Sequence, residues 1–168
     1  MKQVKLFLIA FVMLGAVSLS HAQSKIAHIS TQELIESMPD YQNAKSQISK
    51  LQNSYSSQIE DMYKELQEKS KKYESEAPDQ TDEENQRRMQ DLQESNERVR
   101  SFQQNAQQEL GEKQEELMKP LLDKAKSAIE TVANQKGYDY VLDSTEGGGV
   151  LVAEGYDLLP DVKKSLGI

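Results

Sequence analysis

The chain has no cysteine and no tryptophan, and only 4 of its 168 residues are proline. Without cysteine there can be no disulfide scaffold, no thiolate zinc site, no cysteine nucleophile and no lipid-modified cysteine behind a leader. Aromatic residues make up 6% of the chain, and beyond residue 22 the only phenylalanine is Phe102 and the only histidine is His28. Apolar runs of any length are confined to the first 22 residues. In their place, from about Asp40 to Leu117, stands a stretch built of Gln, Glu, Lys, Ser and Asn with thinly spaced apolar residues.

Residues 1–22 have a different character. Lys2 and Lys5 precede the uncharged apolar stretch Leu6–Val17, and Ser20-His21-Ala22 offers the small residues a signal peptidase needs. This is the pattern of a cleavable secretory signal, with cleavage expected after Ala22 and export to the periplasm. Its apolar stretch is too short to span a bilayer. Removing Lys2 and Lys5 leaves 18 basic against 28 acidic residues, a net charge of −10. Leu, Ile, Val and Phe then number 27 of 146, a fraction low enough for disorder or for a long assembled helix.

Periodicity decides for the helix. Ala44, Ile48, Leu51, Tyr55, Ile59, Met62, Leu66, Lys69 and Tyr73 follow one another in steps of three and four, with a stutter at Tyr55 to Ile59. Pro78 stops this helix, and Thr81 through Glu84 forms a capping box whose acidic residues suit the positive end of a new helix. The return helix carries Met89, Leu92, Val99, Phe102, Ala106, Leu110, Lys113 and Leu117. One stripe on each helix lets the two zip into an antiparallel hairpin, an arm over residues 40–116 with its tip near 77–81. Pro120 lacks an N–H within otherwise continuous helix, and we read it as a hinge between arm and body.

Residues 23–39 and 117–168 make up the body. Lys25–Ile29 reads as a strand, and Ser30 with Glu33 as a second capping box. Leu121, Leu122, Ala125, Ala128, Ile129, Val132 and Ala133 form an apolar helix face, and Gly137 suits a left-handed C-cap. Tyr138–Leu142 and Val150–Ala153 are expected to form a hairpin about Gly147-Gly148-Gly149, after which Asp157 caps a last helix containing Pro160, Val162 and Leu166. The fold class is thus α+β. So small a sheet with open edges is marginal alone, so the body is expected to be completed by oligomerisation. The candidate subunit-core residues are Ile26, Ile29, Val141, Val150 and Val152.

Catalytic chemistry is missing from this pattern. His28 on a strand has no convergent nucleophile or acid, and the acidic clusters at Asp82-Glu83-Glu84 and Glu115-Glu116 belong to solvated helix faces. The triple glycine has neither a following helix nor the lysine of a phosphate loop. The acidic balance disfavours nucleic acid, whose phosphates need Lys and Arg. We expect no enzyme, no metal and no cofactor.

The opening Lys25-Ile26-Ala27-His28-Ile29, the segment from Ala125 through Gly137-Tyr138-Asp139-Tyr140-Val141-Leu142-Asp143, and the closing Asp157-Leu158 with Val162 resemble the Skp (OmpH-like) family of periplasmic chaperones. The resemblance covers essentially the whole chain after the signal, the arms matching only in length and style. It implies a homotrimer with a small β-barrel body and three helical arms around a cavity, in which unfolded outer-membrane proteins are held without ATP. Well-known members have strongly basic arms, whereas residues 40–116 here carry 11 basic and 18 acidic residues. No basic patch for lipid or lipopolysaccharide therefore carries over. A cage of weak, reversible contacts needs adaptable side chains, so Tyr55, Met62, Tyr63, Tyr73 and Met89 are the candidate client contacts. Tyr55, Met62 and Met89 could equally well only zip the hairpin, whereas Tyr63 lies off the stripe. The competing reading is an exported coiled-coil spacer or adaptor, whose apolar seams would match a partner helix.

Overall fold

The computed structural model describes residues 24–168, so the signal sequence and its cleavage point lie outside the described residues. Strand β1 (Ile26–Ile29) leads into a short helix α1 (Thr31–Ser37) and then a 38-residue helix α2 (Pro39–Glu76). A single 3₁₀ turn over Ala77–Asp79 reverses the chain into the 55-residue helix α3 (Asp82–Lys136). Strands β2 (Tyr140–Asp143) and β3 (Tyr156–Asp157) and helix α4 (Leu159–Leu166) complete the body.

The helix boundaries follow from local chemistry. Pro39 occupies the first turn of α2, where its missing N–H costs nothing. At the tip, Thr81 Oγ1 accepts the Glu84 N–H at 3.2 Å, and Asn85 Nδ2 donates to the Ala77 carbonyl at 3.0 Å. Both capping boxes form on one side only. Ser30 Oγ accepts from Glu33 N, but the Glu33 carboxylate pairs with Lys163 at 3.0 Å, and that of Glu84 pairs with Arg87 and Arg88. These long cationic partners reach the glutamates from outside the cap, and an ion pair outcompetes the return bond to the backbone. Gly137 ends α3 at φ 71°, its N–H reaching the carbonyls of Ala133 and Asn134, a conformation open to glycine at no steric cost.

α2 and α3 pack as an antiparallel hairpin, and α2 alone is about 57 Å long. The expected stripes form the seam with one exception. Met89 is 67% exposed, and Arg88 takes the seam position beside Tyr73. The long arginine stem covers apolar surface while its head finds Glu76 and Glu84, which a methionine could not do. α3 runs as one helix through Pro120.

The sheet corrects the expected β-hairpin. β1 is central in the order β2-β1-β3 and parallel to both neighbours, and Val150–Ala153 forms no strand. Asp143 accounts for this by turning the chain off the sheet directly after β2. Its carboxylate accepts from Thr145 N at 2.9 Å and Thr145 Oγ1 at 2.6 Å, and from Thr31 N at 3.2 Å and Thr31 Oγ1 at 2.5 Å. Burial works against this charge, but the bonds from Thr145 and Thr31 outweigh it and hold the carboxyl below the usual range. The free side of β1 is taken instead by Tyr156–Asp157, and Leu158 N donates to the His28 carbonyl at 2.9 Å. Asp157 also accepts the Leu159 N–H at 2.9 Å, but the cap position of α4 is held by Leu158, one residue later than expected, and carries no side-chain cap bond.

Ala27 and Ile29 on the inner face of β1 pack with Leu34, Met38, Leu158, Val162 and the α3 face from Leu121 to Ala133. The end of α3 is pinned to α4 by Lys136, whose ammonium donates to Tyr156 Oη at 3.0 Å and pairs with Asp161 at 2.9 Å. These hydrogen bonds, to Tyr156 and then Asp161, raise its pKa to about 12.

Candidate functional site

Beyond the core, candidate surfaces lie on the sheet, along the arm and in a groove beside β2. In the parallel register Ile26 lies beside Tyr140 and His28 beside Leu142, so these four side chains share the outer face of the sheet. Ile26, Tyr140 and Leu142 are exposed there, and beyond β2 the segment around Leu151 and Val152 is more exposed still, Leu151 at 98%. His28 bridges the two ends of the intervening loop, with Nδ1 3.3 Å from Ser144 Oγ and Nε2 3.2 Å from the Gly155 carbonyl. Contiguous exposed apolar side chains of this kind are the feature from which an interaction surface can be proposed.

The candidate subunit-core residues divide across this face. Ile26 and Val152 are exposed, and Val150 is half-buried in the loop. Ile29 and Val141 point inward, Ile29 fully buried and Val141 half-buried against the chain's own core. Tyr140 and Leu142 escaped sequence reasoning because Tyr140-Val141-Leu142 is apolar throughout, and alternation gives no sign of which face is inner.

Along the arm, the candidate contact residues are strung out rather than gathered. Tyr55 lies in the seam, edge-on to Phe102 at 5.9 Å, with its hydroxyl donating to Glu109. That hydrogen bond, then burial, raises the Tyr55 pKa. Met62 is half-buried in the seam, while the adjacent Tyr63 is exposed, its hydroxyl accepting from Gln103 Nε2 at 3.3 Å. Tyr73 and Met89 line a cleft of about 360 Å³ near the tip, together with Ala77, Arg88 and Leu92. Tyr63 and Met89 thus present free apolar surface, and Tyr55 and Tyr73 are committed to the hairpin. A groove of about 520 Å³ between α3 and the β2 edge, lined by Ile35, Leu122, Ile129 and Val141, also went unforeseen. The exposed Leu122 on an otherwise core-facing stripe was its one signal.

Among the described residues no cluster of His, Asp or Glu could hold a metal ion, and no helix is long and apolar enough to cross a membrane. The sequence model of the family described as outer membrane protein (OmpH-like) matches residues 25–166. The chain belongs to this family. OmpH/Skp-like proteins are periplasmic, non-enzymatic chaperones of outer membrane proteins. A crystal structure of an OmpH-like protein from Caulobacter crescentus CB15, described as a candidate outer membrane chaperone, superposes with a TM-score of 0.72 at 12% identity, covering 86% of this chain and 85% of that one. At that identity the likeness is one of fold, a small body with a long hairpin. No curated protein sequence matches the chain. Within this OmpH-like fold, the body's outer sheet face, the groove beside β2 and the arm's exposed flanks are the surfaces on which a function can be proposed.

Proposed function

We propose that the protein is an exported, ATP-independent holdase that keeps unfolded outer-membrane proteins from aggregating in a cavity between helical arms. In this reading residues 1–22 are a signal removed after Ala22, residues 23–39 and 117–168 form the assembly body of a homotrimer, and residues 40–116 form the arm. The observation that carries it is the arm itself. Its two apolar stripes are used up against each other, so each hairpin stands alone and presents only a sparse surface of Tyr63, Met89 and polar side chains. Many such weak contacts in a confined volume retain a client while each remains reversible. A spacer would need a spare apolar seam for its partner helix, and none is left over on α2. The acidic arms are poorly suited to anionic lipid or lipopolysaccharide.

The test is light scattering of an unfolded outer-membrane barrel protein diluted from denaturant. Mature protein is expected to suppress aggregation at about one oligomer per client, with neither nucleotide nor divalent metal added. Aggregation unchanged at that ratio would overturn the holdase reading.

Pro120 is the proposed joint about which each arm swings. It interrupts the hydrogen bonding of α3 close to where the arm meets the core, at Leu121. Spin labels at the arm tips are expected to give a broader distance distribution in the native chain than in Pro120→Ala. Equal widths would remove the hinge.

A further inference from the structure

The seam of the arm changes character along its length. From Ala44 to Leu66 on α2 and from Val99 to Leu117 on α3 the facing side chains are mainly apolar, led by Ile48, Leu51, Ile59, Phe102 and Leu110, with Lys113 near the inner end and the Tyr55 hydroxyl donating across to Glu109. Among the described residues no ion pair crosses this inner stretch. Beyond Leu66 the layers turn ionic. Lys69 pairs across the seam with Asp91 and lies 3.5 Å from Ser95 Oγ, and Tyr73 donates to the same Asp91 at 2.7 Å. Arg88 stacks over Tyr73 at 4.8 Å and crosses to Glu76 at 3.0 Å, while holding Glu84 on its own helix at 3.3 Å.

We propose that this outer seam is an electrostatic latch: rising ionic strength unzips the arm from the tip back to Lys69 and Ser95 while the inner seam stays closed. The inference rests on the hairpin alone and stands whether or not the arm holds clients. Salt reduces the Debye length from about 10 Å at 0.1 M to about 3 Å at 1 M, which weakens the partly exposed Lys69–Asp91 pair more than the pairs of the largely buried Arg88. It does not weaken apolar burial. Leu92 and Ala77 are the main aliphatic contributions to the outer layers, too few to hold them once the charges are screened. The latch is also imperfect as built. Arg88 Nη1 is buried with no acceptor, a donor that regains water only when the seam opens.

Asp91 is the hub, and acid should act in the same direction as salt. It is faced by Lys69 and Tyr73 from α2 and by Arg98 from its own helix, while Ser95 Oγ donates to its backbone carbonyl and Arg88 lies over the Tyr73 ring with Glu76 and Glu84. Hydrogen bonds from Lys69, then Tyr73, hold its carboxyl below the usual range. A depressed carboxylate pKa stabilises the closed form above the free value of about 3.9, and that contribution is lost as pH falls through the folded value.

Hydrogen exchange of the mature full-length protein, read by mass spectrometry in about 0.05 M and 1 M NaCl, tests the latch. Peptides from 69–95 are expected to exchange about tenfold faster at high salt, with those from 44–66 and 99–117 unchanged. No salt effect on the outer peptides, or an equal effect on the inner ones, would overturn the proposal. A Lys69→Leu, Arg88→Leu, Asp91→Leu variant, which replaces the charges by an apolar seam, is expected to exchange slowly at both salts. Retention of the tenfold rise in that variant would also refute it. Should the triple variant not fold, the native salt series with its inner control decides alone.

Discussion

Replacing residues 45–116 by a short Gly-Ser link is expected to leave an assembled body that protects no client at all. The cut is drawn after Ala44 because Ala44 is buried in the body's core and Tyr41 packs against it. Leu117, at the other end of the deletion, packs against the same cluster, so a short link can rejoin the chain without moving either helix stub. Shortening the connection also lowers the entropy of closing it, so the body is not penalised on that account. What disappears is the surface carrying Tyr63 and Met89 and the enclosed volume that raises effective concentration. In the light-scattering assay the armless protein should be indistinguishable from buffer, while its sedimentation stays that of an oligomer. Full suppression of aggregation by the armless body would move the working surface from the arms to the sheet.

The second large effect is expected from Leu142→Asp, which should leave a folded chain that no longer assembles. Leu142 lies on the outer sheet face beside His28 and is 45% exposed in the single chain. A charge there remains hydrated in the monomer, so folding suffers little. If that face is the subunit contact, the same aspartate is desolvated on assembly. A penalty of about 4 kcal/mol for each buried aspartate weakens association about a thousandfold per subunit. Val141→Asp makes the instructive contrast. Val141 turns toward Ala27 and the chain's own core, so a charge there damages the fold itself. Circular dichroism and analytical ultracentrifugation separate the two outcomes. Native-like assembly of Leu142→Asp would show that the subunits meet elsewhere.

The parts of this fold legible from sequence are those governed by short-range rules. Steps of three and four placed both arm helices, Pro78 and Thr81 bracketed the turn between them, and Gly137 marked the end of α3. Strand pairing was not of this kind. The triple glycine between two apolar segments has the local signature of a β-hairpin, yet the partner of β1 is decided by Asp143 meeting Thr31, 112 residues earlier in the chain. No window along the sequence contains that contact. The surfaces failed for a related reason. Met89 and Arg88 are neighbours, and hydropathy prefers the methionine for the seam, but Glu76, Glu84 and the ring of Tyr73 together make a better home for the guanidinium. Tyr63, by contrast, was set off the stripe by spacing alone, and it is exposed.

The central position of β1 carries a consequence for how the chain comes to be folded. Among the described elements β1 is the first to emerge from synthesis, but the strands on either side of it come from the far side of the arm, Ile26 meeting Tyr140 across 114 residues. Direct closure over that span is slow, since contacts of high sequence separation are entropically late. The arm offers a shortcut. Helix formation and zipping proceed by local steps, and each completed layer from the tip inward brings Met38 and Leu117 nearer to each other. The body should therefore be the last part to acquire structure, and slackening the inner seam should slow its appearance more than it lowers its final stability. Until β2 and β3 arrive, both edges of β1 lie open, so during its own biogenesis each chain passes through the same exposed, extended condition as an unfolded β-barrel strand.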